Sequence, residues 1–171
     1  MVALVVVTCA LVVPMIALTL LSRRAVKHYH LTEAKLQWLL DALLYRGHDG
    51  AVLLVEDRHR RVFVQVRKVI RSGEEPFLQL GFPDAGWSSE FYSKVGKVLI
   101  EQGAPIAEVE AEEDGVVAYL LADLGTDTGL AARVVKRLTE EVLQIDLAEN
   151  GIATLRGISP SASARIGFEL I

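Results

Sequence analysis

The stretch Arg61-Val62-Phe63-Val64-Gln65-Val66-Arg67-Lys68-Val69-Ile70 decides the fold. Val62, Val64 and Val66 fall on one side of an extended chain, while Arg61, Gln65 and Arg67 fall on the other. That two-residue period is the pattern of a half-buried strand. Upstream, Asp57-Arg58-His59-Arg60 reads as a turn following a short buried strand, Ala51 to Glu56. Downstream, Ser72-Gly73-Glu74-Glu75 is a second turn, leading into a third strand, Pro76 to Phe82. Strands joined by tight turns pair antiparallel, so the segment predicts a meander.

Helical periodicity brackets this meander. Thr32 is placed to cap a helix from Glu33 to Arg46, whose stripe Leu36, Leu39, Leu40, Leu43 and Leu44 has the i, i+3, i+4 spacing of a core-facing surface. Gly47 and Gly50, around His48-Asp49, are expected to end it. Beyond the third strand, Pro83-Asp84-Ala85-Gly86 reads as a loop. Ser88 is the expected cap of a helix to about Gln102, with Phe91, Val95, Val98 and Leu99 inward. Two strands follow, Pro105 to Ala111 and Val116 to Ala122, around a hairpin turn at Asp114-Gly115. Thr126 or Asp127 caps the last helix, Thr128 to about Ile145, with Leu130, Val134, Leu138 and Val142 inside. The expectation for 32–147 is one α-β-β-β-α-β-β-α domain of the α+β class, an antiparallel sheet with the helices packed on one face. Residues 148–171, with Gly151, Gly157 and Ser159-Pro160-Ser161, read as a C-terminal tail.

Ahead of the domain, Met1 to Leu21 contain no charged side chain. About twenty residues at 1.5 Å rise give roughly 30 Å, the thickness of a hydrocarbon core. This predicts a transmembrane helix over 1–21, kinked at Pro14 and held in membrane lipid. A cleaved signal peptide needs an early basic region, which the sequence lacks. Arg23, Arg24 and Lys27 follow directly, within a basic juxtamembrane segment of residues 22–31. Positive charge on that side places the C-terminal domain in the cytoplasm and the N-terminus outside a cell (inner) membrane. The only cysteine, Cys9, lies in the apolar run, which excludes an internal disulfide and a cysteine-based zinc site. A net charge of −4 argues against a general nucleic-acid binder.

The element order, with Phe77-Leu78-Gln79-Leu80-Gly81-Phe82-Pro83 followed by Gly86-Trp87-Ser88 and the Asp123-Leu124-Gly125 approach to the last helix, resembles the type III secretion chaperone-like superfamily and its sensory-transduction-regulator relatives. The resemblance covers roughly Leu31 to Leu147. It implies a non-enzymatic binding domain, often dimeric, that holds peptide partners on its sheet and helix surfaces.

Few residues suggest chemistry. His28 and His30, read as helical, point about 200° apart and do not share a metal. His48-Asp49 is an adjacent pair with no nucleophile placed beside it. Asp123 to Gly129 lacks the spacing of a calcium loop and fits a strand-to-helix cap better. No phosphate loop or dinucleotide fingerprint is present, so neither enzyme activity nor a cofactor is expected. The basic residues Arg58, Arg60, Arg61, Arg67, Lys68 and Arg71 are the candidate contact for an anionic partner, either lipid headgroups or acidic peptide. A solvated face that keeps a strand edge soluble is the favoured alternative. The acidic run Glu108, Glu110, Glu112, Glu113, Asp114 reads likewise as solvated, and is also able to face the basic hairpin across a homodimer interface. The leading expectation is a membrane-anchored domain that binds a protein partner as adaptor, scaffold or accessory subunit. The competing ones are an enzyme assembled from His48, His59 and Asp123, and an anionic-lipid sensor.

Overall fold

The computed structural model describes residues 25–111 and 116–158. The expected span 1–21, Arg23, Arg24, the acids at 112–114 and the turn at Asp114-Gly115 lie outside the described residues. Among those described, no helix is long and apolar enough to cross a membrane.

The domain is a mixed α+β fold built on one antiparallel sheet. In chain order the elements are β1 (Val26–Tyr29), α1 (Glu33–Arg46), β2 (Gly47–Asp57), β3 (Phe63–Val69), β4 (Phe77–Ala85), α2 (Ser89–Glu101), β5 (Ile106–Glu110), β6 (Val116–Gly125), α3 (Thr128–Arg137), a π turn (Leu138–Val142) and β7 (Gly151–Ile158). The sheet order is β1-β7-β2-β3-β4-β6-β5.

α1 forms where the leucine periodicity places it. The Thr32 hydroxyl accepts from the Lys35 N–H at 3.2 Å, and Glu33 sits at the positive end of the helix dipole. Leu36, Leu39, Leu40 and Leu43 are fully buried, each contributing about 1.5–3 kcal/mol by transfer from water. The helix passes straight into β2 at Gly47, where a Cβ would stand 2.5 Å from the Leu43 carbonyl oxygen. Only glycine permits that close approach.

The sheet alternates as a one-sided sheet should. Leu53 and Val55 of β2 pair with Val66 and Val64 of β3, and Leu80 of β4 sits opposite Val66 on one side and Ala122 of β6 on the other. These residues are buried and share the core with the inward faces of all three helices. Val52, Leu54, Val69, Leu121 and Ile152 are half-buried and take no part in that core. They lie on the opposite face, which no described helix covers.

Both ends of the domain differ from the sequence expectation. Val26–Tyr29 is not a juxtamembrane linker but an edge strand pairing with β7, and Leu31 is buried with its N–H on the Leu147 carbonyl at 3.0 Å. Gly151–Ile158 is not a tail: β7 lies between β1 and β2 and pairs with both. Its alternation, Ala153 and Leu155 inward against Ile152, Thr154 and Arg156, is short and flanked by glycines. The strand therefore forms through its partners rather than through local preference.

Three local differences are smaller. Pro83 to Ala85 extend β4 by pairing with β6, beyond the last β3–β4 pair at Gln65 and Gly81. The Ser88 hydroxyl donates to the Pro83 carbonyl at 2.6 Å and accepts from the Ala85 N–H at 3.0 Å, tying down the β4–α2 corner rather than capping the helix. The last helix keeps α geometry only to Arg137. It then widens into a π turn, with the Leu143 N–H on the Leu138 carbonyl and the Thr139 hydroxyl on the Val135 carbonyl.

Candidate functional site

Asp57, at the end of β2, organises the basic turn. One carboxylate oxygen accepts the N–H groups of His59 and Arg60 at 2.7 and 2.9 Å, and the other accepts Arg60 Nε and Nη2 at 3.1 and 3.0 Å. Burial alone would raise the Asp57 carboxyl. The two N–H groups and the Arg60 guanidinium outweigh it and hold the group below the ordinary carboxylate range. Arg60 Nη2 also donates to the carbonyls of Leu143 and Gln144 at 2.9 and 2.7 Å. Arg60 is therefore a strut between the turn and the segment after the π turn, and not a free cation.

The other basic residues divide in the same way. Arg67 Nε donates to Gln79 Oε1 at 2.9 Å, Gln79 Nε2 donates to Asp123 Oδ1 at 2.7 Å, and Arg71 stands 3.7 Å from the other Asp123 oxygen. This polar row crosses β3, β4 and β6 on the helix-free face. Burial lowers the Arg67 pKa, offset in part by Asp49 and Asp123. Arg71 also pairs with Glu74 at 3.6 Å and lies over the Phe77 ring. Lys68 is buried toward the helices, with Nζ on the Gly47 carbonyl at 2.8 Å. Among the described residues, only Arg58 and Arg61 of the six candidates are exposed with side chains that meet no acceptor. The alternation showed which residues face out. It did not show which of them are consumed internally, because that depends on partners in β4, β6 and the segment after the π turn.

Arg58 and Arg61 rim an open hollow of about 580 Å³ at one end of the helix-free face. Its floor includes Leu54, Phe63, Trp87 and Ile152, with Lys27 and Glu56 at the side. The Phe63 and Trp87 rings stand 4.7 Å apart, and Phe82 meets Trp87 edge-on at 5.8 Å. Lys27, read as a topology signal, is thus an exposed β1 residue beside the hollow. Ile152 escaped sequence reading because β7 did.

The residues of the enzyme alternative stay apart. His48 lies at the start of β2 and His59 just past its end, roughly 30 Å or more apart at 3.3 Å per residue. His48 Nδ1 bonds the Asp49 carbonyl, and Asp49 Oδ1 accepts the Ile70 N–H at 2.9 Å. Asp123 belongs to the polar row on β6. His28 is buried edge-on against Trp38 at 5.8 Å, whereas His30 reaches the Ala148 carbonyl. No group of three or more potential metal ligands converges among the described residues. The Asp123–Gly129 segment forms a strand-to-helix junction: Asp127 Oδ1 accepts the Leu130 N–H at 2.9 Å, and Thr128 donates to Asp41 at 2.7 Å.

Comparison with protein-family models, curated proteins and solved structures finds no match.

Proposed function

We propose that this chain is a single-pass membrane protein whose cytoplasmic α+β domain binds a protein partner, as adaptor, scaffold or accessory subunit, and performs no chemistry of its own. The observation that carries the reading is the helix-free sheet face. An antiparallel sheet with one solvated face ordinarily alternates apolar-in and polar-out. Here the outer positions include Val52, Leu54, Val69, Leu121 and Ile152, all half-buried and outside the core. Apolar side chains at outer positions that a solvated face ordinarily fills with polar ones point to an interaction site. The polar row of Arg67, Gln79 and Asp123 crosses the same face and supplies directional groups.

Protein is favoured over lipid by the path of the chain. The polypeptide enters β1 at Val26, in register with Leu53 through Leu155, and runs toward the Arg58 turn. Arg58 is five residues farther along, about 17 Å at 3.3 Å per residue. That exceeds the screening length of about 8 Å at physiological salt. A basic cluster meant for headgroups would be expected nearer the anchor.

The test is capture by the full chain in mild detergent, comparing wild type with Leu54→Asp/Leu121→Asp and with Tyr45→Asp on the exposed side of α1. A partner held by wild type and Tyr45→Asp but lost by the face variant supports the reading. Equal capture by all three would remove the sheet face from consideration.

A further inference from the structure

The basic turn at residues 58–61 joins β2 and β3, which are interior strands of the sheet. Its charges therefore do not serve to blunt a strand edge. The turn is also held from several directions. The Arg58 N–H donates to the Asn150 carbonyl at 2.8 Å, and the Asp57 N–H to the Val62 carbonyl at 3.1 Å. Arg60 ties Asp57 to the carbonyls of Leu143 and Gln144. A turn fixed in this way presents Arg58 and Arg61 with little backbone freedom left to lose on binding.

Arg58, Arg61 and Lys27 meet at the rim of the hollow of about 580 Å³, a size within the range of about 300–1,000 Å³ typical of ligand sites. All three are exposed, and none meets a carboxylate among the described residues. The carboxylates lining the hollow are Glu56 and Asp57, and Asp57 is consumed by Arg60. Three unpaired cations thus stand against one carboxylate, above a floor of Leu54, Phe63, Trp87 and Ile152. The Phe63 and Trp87 rings, tilted by 36° at 4.7 Å, are both only half-buried and leave ring surface open. Aromatic rings pair favourably with such a surface edge-on or offset. An apolar floor under unpaired cations calls for a ligand that is apolar in its body and negative at its ends.

We propose that the hollow is a recognition pocket for an acidic peptide segment of the partner, in which an aromatic side chain seats on Phe63 and Trp87 while flanking carboxylates meet Arg58, Arg61 and Lys27. The inference rests on the binding-module reading and adds the chemistry of the partner. Two features favour a peptide over a lone anion. Lys27 stands on β1, two strand spacings of about 4.8 Å from β2, whereas the arginines stand in the turn beyond β2. Acids on both sides of an aromatic residue match that spread. The hollow also opens onto the helix-free face through Leu54 and Ile152, so an extended segment continues from it across the sheet.

The experiment titrates the full chain in a nonionic detergent, by calorimetry, with three end-blocked synthetic peptides: Glu-Asp-Phe-Glu-Asp, Glu-Asp-Ala-Glu-Asp and Gln-Asn-Phe-Gln-Asn. At low salt the acidic Phe peptide should bind wild type about tenfold or more tightly than either of the others. Its advantage over the neutral peptide should fade toward 1 M salt, where the screening length falls to about 3 Å. Arg58→Gln/Arg61→Gln should erase the advantage over the neutral peptide, and Phe63→Thr the advantage over the Ala peptide. Thermal unfolding checks that the variants fold, and Ile152→Thr replaces Phe63→Thr if that one does not. Absence of binding, equal binding of the three peptides, or preferences unchanged in the variants would each overturn the proposal. So would dihexanoyl phosphatidylserine binding through the same arginines in place of the acidic peptide, which would assign the hollow to lipid headgroups. A dimer that dissociates on Arg58→Gln/Arg61→Gln, with the peptide unbound, would assign it to a second copy. A partner captured by wild type and by Arg58→Gln/Arg61→Gln, but lost by Leu54→Asp/Leu121→Asp, would sink this pocket and leave the open-face reading standing.

Discussion

At the residue scale, identical side chains in one turn have unequal roles. Asp57 satisfies two backbone N–H groups and a guanidinium, so Asp57→Asn should cost about 1–3 kcal/mol, the range for leaving buried groups poorly paired. Arg58→Gln and Arg61→Gln should each stay within about 0.5 kcal/mol, as exposed charges do. Urea midpoints separate the two classes. His28 predicts a pH effect. It is 7% exposed, its Nε2 has no partner, and its pKa is lowered from 6.5, first by burial and then by the charge of Lys35. The folded state therefore favours the neutral ring, while the unfolded chain takes up a proton near pH 6.5. Between the lowered folded value and 6.5 the unfolded state binds more protons, so stability is complete above about pH 6.5 and declines as pH falls below it. His28→Phe should remove this component. Chemical unfolding at pH 7 and pH 5 should show wild type losing more stability than the variant.

At the element scale, the helices obey local pattern while the terminal strands depend on their neighbours. Leu40 in α1 and Leu138 in the π turn are both fully buried. Leu40→Ala and Leu138→Ala should each cost about 2–5 kcal/mol, read from denaturant midpoints. The π turn was not visible in the periodicity, because the same leucine and valine spacing continues through it. Its widening is fixed by the Thr139 hydroxyl on the Val135 carbonyl and by the fit of Leu143 and Ile145 into the core. β7 carries a sharper expectation. A chain ending after Asn150 loses the strand that pairs with both β1 and β2. It should fail to fold, with broadened amide spectra and unprotected β2 amides, whereas removal of a true tail would leave both unchanged.

At the scale of the whole molecule, three helices among the described residues cover one face of a seven-stranded sheet, and no described helix covers the other. Function is read from that asymmetry. The proposed anchor makes a further prediction: if residues 1–21 span a membrane, Arg23 and Arg24 directly after them are expected to hold the domain on the cytoplasmic side. A reporter fused after Ile171 should be active on the cytoplasmic side. Activity only outside would reverse the topology and, with it, the compartment in which any partner is sought.

What the sequence determined alone was whatever depends on near neighbours. The α1 stripe and its Thr32 cap, the alternation of Val64 and Val66 against Gln65 and Arg67, and a cap at Thr126 or Asp127, which the structure resolves to Asp127, rest on contacts within a few residues, so their spacing was legible. The α+β class and the antiparallel meander followed from them. What only the tertiary structure decided depends on residues distant in the chain. Val26–Tyr29 and Gly151–Ile158 become strands because each completes the other's hydrogen bonds beside β2, across more than 120 residues. Arg60 is a strut because carbonyls 83 and 84 positions away happen to meet it, and Arg67 is held because Gln79 and Asp123 are brought to its side. Arg58 and Arg61 differ for the converse reason: among the described residues no acceptor meets their side chains. A charge in a sequence has a sign and a position, but its availability is settled only when the chain has closed around it.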